Sequence, residues 1–104
     1  MATTLKAMYR GAAATSNTTL YTVSSTSAVA TVTNIVIANN TASAATATIN
    51  IDTVVAIPSV SIPANAVATF DIKQVIPSNN PAKTITGSAS TTGVSFHISG
   101  LEIA

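Results

Sequence analysis

Cysteine and tryptophan are absent from this 104-residue chain, histidine occurs once, and there are only three acids and four bases. Each scarcity removes a class of function. Without cysteine there is no disulfide framework and no thiolate metal site, and the redox compartment leaves no mark on the sequence. One histidine and three scattered acids, Asp52, Asp71 and Glu102, spell neither a zinc ligand set nor an acidic calcium loop, so no metal and no cofactor is expected. The bases Lys6, Arg10, Lys73 and Lys83 are dispersed and the formal net charge is +1, which gives no basic stripe and argues against nucleic acid as a partner. The four glycines never fall into a phosphate-cradling spacing. No stretch stays apolar over the roughly 18 residues of a membrane span, and the opening residues lead into Gly11 and the polar run 15–19 rather than a signal-peptide core. The product is therefore expected to remain soluble in the cell that makes it, with no membrane partner.

Catalysis has little to work with. His97 can be drawn into a hydrolase triad with Asp52 or Asp71 and a serine, but no G-x-S-x-G elbow presents that serine. The alternation of Val94, Phe96 and Ile98 against Ser95, His97 and Ser99 puts the imidazole on the polar face of a strand. Three dispersed acids likewise offer no carboxylate pair for glycoside hydrolysis. The expectation is that the chain is not an enzyme and has no catalytic residue.

Ala, Thr and Ser make up nearly half of the chain, and β-branched runs are broken by Asn, Pro, Ser and Gly. Apolar residues amount to 47%, but much of that is alanine, so the predicted core is modest. Period-2 alternation recurs and no helical period holds over eleven residues, which predicts an all-β chain. Residues 5–10 read as an edge strand. Strands follow at 18–23, at 28–39 with Val32, Asn34 and Val36 on a second, partly apolar face, and at 46–52 with Ile49 and Ile51 inward. Pro58 demotes 54–60 to an edge. The run 62–65 is a turn, and in 66–76 Ala68, Phe70 and Ile72 point in while Thr69, Asp71 and Lys73 point out. A turn at 77–81 and strands at 83–89 and 94–103 complete the set, with Gly87 and Gly93 at bulge or turn positions. Seven or eight short strands at this spacing predict a single antiparallel β-sandwich or jelly roll over 1–104, with 1–17 an edge strand or an N-terminal arm. The two phenylalanines fall on the core face, leaving Tyr9 and Tyr21 for a sheet edge.

Four strings, in order, carry a resemblance: Leu20-Tyr21-Thr22-Val23, the run from Asn34 to Thr41, Ile62-Pro63-Ala64-Asn65, and the run from Val94 to Ile103. Together they resemble a group of small tailed-bacteriophage virion proteins of about this length, with Ser24 standing where that group has proline. The resemblance spans roughly Leu20 to Ala104 and implies a β-sandwich structural subunit of a phage particle without enzymatic activity. On this basis the leading expectation is a capsid decoration, or cement, protein on the outer capsid surface of the virion, made in the bacterial cytoplasm. It would associate with itself as a homotrimer and bind the major capsid protein. A surface of short hydroxyl and methyl groups suits such docking because these side chains lose few rotamers on burial. Leu5, Tyr9, Tyr21, Val32 and Val36 are the expected interface residues. The alternative is a tail-associated adaptor or fibre-tip module that contacts host-surface glycans.

Overall fold

The computed structural model describes residues 3–23, 28–77 and 84–103. The turn expected at 24–27, most of that at 77–81, and Lys83 lie outside them. The chain is all-β. Its strands are β1 (Thr3–Ala12), β2 (Thr18–Thr22), β3 (Val29–Asn39), β4 (Ala45–Ile51), β5 (Val54–Ile62), β6 (Val67–Phe70), β7 (Gln74–Ile76), β8 (Thr84–Ala89) and β9 (Val94–Ile103). They form two antiparallel sheets, one ordered β1-β9-β3-β6 with β7 also on β3, the other β2-β8-β4-β5. Because β6 and β7 share β3 as partner, they act as one strand interrupted at 71–73. The chain thus pairs its first strand with its last, its second with its next-to-last, and so inward to the β4–β5 hairpin, which is the wiring of a jelly roll.

The strand assignments follow from side chains that fit a half-buried pleat. In β9 burial alternates strictly: Val94, Phe96 and Ile98 are fully buried and Ser95, His97 and Ser99 face outward. Ile35 and Ile37 of β3 extend this wall, and Ile49 and Ile51 of β4 with Ile85 of β8 supply the opposing one. Ala68, Phe70 and Ile72 pack against this core while Thr69, Asp71 and Lys73 are exposed, as the alternation predicts. β5 is an edge. Opposite its Pro58, Thr48 Oγ1 accepts the Ser59 amide at 3.1 Å, and the strand bulges there with Ser59 at φ 32°.

Bulges correct the expected faces of β3. Thr33 is an extra residue opposite β9, so Ala30 and Val32 point inward before it while Ile35 and Ile37 point inward after it. Val32 is completely buried, whereas Val36 faces outward opposite His97. The two valines therefore do not share a face. A matching extra residue, Met8, sits in β1. Both neighbours of β9 bulge beside Gly100, where a Cβ would lie 2.2 Å from the Thr31 carbonyl oxygen and 2.6 Å from Met8 Cε. Gly87 also differs from expectation: it is a regular ladder position of β8, and Ile49 and the bulged Leu20 fill the space its side chain would take.

One end of the sandwich is closed by Asn39, a nearly fully buried polar residue ending β3. Its Nδ2 donates to the carbonyls of Ser43 and Ile62 at 2.9 and 3.0 Å, and its Oδ1 accepts from the Thr41 amide at 3.0 Å, so the β3–β4 loop is tied to the end of β5. At the other end, Asp52 and Thr53 connect β4 to β5 with φ of 54° and 66°, the signature of a type I′ hairpin. A β-branched residue is poorly suited to that left-handed backbone.

Two stability predictions follow. Gly100→Ala forces a methyl against backbone and is expected to cost about 3 kcal/mol, lowering Tm by roughly 10–20 °C in calorimetry. Thr53→Gly relieves the turn and is expected to raise Tm by roughly 4–8 °C, about 1 kcal/mol.

Candidate interaction surface

The strict alternation of β9 has a chemical consequence at its far end. Glu102 has the same parity as Phe96 and Ile98, so its carboxylate turns into the sandwich and is 4% exposed. The Tyr21 hydroxyl donates to Glu102 Oε2, and Lys6 Nζ lies 3.7 Å from Oε1. Tyr21 can reach because Leu20 is bulged, which brings Tyr21 opposite inward-facing Ile85. One buried carboxylate thus ties β1, β9 and the opposite sheet's β2 together. Burial, then the hydrogen bond and the negative charge of Glu102, pushes the Tyr21 phenol well above its ordinary value near 10.

The outer face of the β1-β9-β3 sheet is of a different kind. Register partners Leu5, Leu101, Thr31 and Val75 form one line across four strands, and Thr3, Ile103 and Val29 form the next. Leu5 is 84% exposed, Val75 59% and Ile103 36%, and neither line contains a charge. Farther along the same face, Arg10, His97, Val36 and Thr69 are register partners. Among the described residues three of the six large exposed apolar side chains, Leu5, Val75 and Ile103, gather on these two lines, and Val67 lies at the opposite end of the same face. Such a cluster exceeds the scatter of single apolar residues usual on a monomer.

A cleft of about 510 Å³ opens at the edge where β5 and β7 diverge. Exposed Val54, Val55 and Val75 wall it, with Ile72, Gln74 and Asp52. Asp52 Oδ1 is buried and meets no hydrogen-bond partner among the described residues. A second, shallower concavity of about 380 Å³ lies beside His97 and is lined by Asn40, Asn65, Ser95 and Val67 among others, with no aromatic ring. Among the described residues no three His, Cys, Asp or Glu side chains gather as a metal site requires.

The five residues expected at an interface separate in space. Leu5 and Val36 lie on the outer face. Tyr9 is half-buried against the core and donates its hydroxyl to the Ala12 carbonyl at 2.7 Å, and Tyr21 is turned inward to Glu102. Val32 belongs to the core, so it is not available to a partner. Leu101, Val75 and Ile103 were not anticipated, although the odd parity of Leu101 and Ile103 in β9 marks them as outward. Neither a protein-family model nor a curated protein matches the chain.

The raised Tyr21 pKa gives a test of the inner cluster. Its contribution to stability is complete below the unfolded value near 10 and is lost as pH climbs from there toward the folded value. Tyr21→Phe is expected to lower stability at pH 7 by about 1–3 kcal/mol, by leaving a buried carboxylate short of a donor. In urea titrations the gap between wild type and variant should narrow above pH 10.

Proposed function

We propose that this chain is a non-enzymatic structural protein of a bacteriophage particle, a capsid decoration protein that binds the outer surface of the head shell and associates with copies of itself. The observation that carries the reading is the uncharged apolar end of the outer face of the β1-β9-β3 sheet, built from Leu5, Leu101, Val75, Val29 and Ile103 on a small jelly roll. A face of this kind is stable in water only at a cost that docking removes, and short neighbouring Thr and Ser side chains let a partner approach closely. The order of sequence strings that resembles small phage virion proteins supports the same assignment and suggests the kind of partner, a major capsid protein. Binding would also stabilise the light, alanine-rich core by mass action.

The tail-associated alternative gains nothing specific. Recognition of sugars by stacking would be favoured by exposed aromatic planes, and Tyr9 and Tyr21 are both half-buried with their hydroxyls engaged.

The expected outcome of immunogold labelling of particles with antibody against this chain is label over the heads. Label at tail tips, or none on particles, overturns the decoration reading. Leu101→Asp with Val75→Asp is expected to leave the fold intact by circular dichroism while weakening shell binding at least roughly tenfold in co-sedimentation.

A further inference from the structure

The described charges sort into two pairs and a remainder. Lys6 lies against Glu102, and Lys73 lies 4.0 Å from Asp71. Among the described residues Arg10 has no carboxylate within ion-pair distance, and the Asp52 carboxylate has neither a base nor, at Oδ1, a hydrogen-bond donor. The remainder is thus one cation and one anion. They stand on opposite edges of the sandwich: Arg10 is exposed on β1, the terminal strand of its sheet, and Asp52 lines the cleft between β5 and β7 at the other side.

We infer that these two groups meet between molecules: the Arg10 side chain of one copy enters the β5–β7 cleft of the next and pairs with Asp52. The cleft suits a guanidinium on an aliphatic stem. Val54, Val55 and Val75 offer apolar wall for the methylenes, the carboxylate takes the charge, and Gln74 adds an amide within the same lining. Within a single chain the buried, donorless Asp52 Oδ1 is costly, and a partner's cation reaching the carboxylate from the cleft side offsets that cost by its charge rather than by a hydrogen bond to Oδ1. Two edges that differ cannot form a self-complementary two-fold contact. The contact is heterologous, each copy giving Arg10 on one side and receiving it on the other, so association closes as a ring or runs on as a chain. This contact rests on the assembly reading above; it engages Val75 at the margin of the outer face and leaves Leu5, Leu101 and Ile103 free for the shell.

Sedimentation velocity on the full chain tests it. The wild type is expected to sediment as an oligomer that loosens as salt rises. Arg10→Glu and Asp52→Lys should each sediment as monomers, about tenfold or more weakened, with unchanged circular dichroism spectra. Mixed one to one, they should reassociate into oligomers in which the two variants alternate, since each contact between unlike variants again sets a cation against an anion while each variant still repels its own kind. The double variant Arg10→Glu/Asp52→Lys should recover the wild-type size. A wild-type oligomer that survives both charge reversals, or a mixture that stays monomeric, overturns this contact while leaving decoration standing. A wild-type chain that is monomeric even at millimolar concentration overturns self-association altogether.

Discussion

Everything in this sandwich is referred to one strand. β9 pairs on both sides, with β1 and with β3, and it alternates without interruption from Val94 to Glu102. Its neighbours are the ones that yield: Met8 and Thr33 are each one residue too many opposite it, and both are accommodated beside Gly100, where no side chain intrudes. A bulge flips the parity of all that follows in its strand, so a single extra residue decides which valine of β3 is core and which is surface. The inner wall of isoleucines and the apolar outer lines are two faces of the same register. Neither could be moved without moving the other.

Among the described residues the two buried polar side chains sit at opposite ends of this framework. Asn39 closes the end where β9 begins and Glu102 the end where it finishes, since Asn39 pairs with Val94 and Glu102 with Ala30. Both do the same physical work. Where the two sheets part company, loop backbone or charged groups approach the interior. A side chain with several hydrogen-bonding positions satisfies them and fixes how loops and edge strands close over the end. Asn39 does it with backbone carbonyls, Glu102 with a phenol and an ammonium.

The sequence makes the period of this fold readable and hides its phase. β4 and β9 alternate cleanly, so their inward residues could be named from parity alone, and Pro58 announces an edge because it lacks a backbone donor. The inward turn of Glu102 was legible in the same way, two positions beyond Gly100 and four beyond Ile98. The bulges at Met8, Leu20 and Thr33 leave no compositional trace: each is an ordinary strand residue. For that reason Val32 and Tyr21, which read as surface, lie inside or turn inward. The outer patch was half visible, since Leu5 stood out, but its completion by Leu101 and Val75 depends on which strands lie side by side, and pairing of distant strands is not written in any local pattern.

The wiring also sets an order of events. The first strand of the chain completes itself only against the last, and the long β3 waits for that same strand on one flank. Until β9 is in place, one sheet has a gap at its centre and the outer face that runs across it does not yet exist. Folding dominated by such distant contacts is slow, because chain closure comes before most of the stabilising burial. A molecule built this way cannot present its sticky side while still unfinished: the surface that invites company is created by the same step that makes the fold whole.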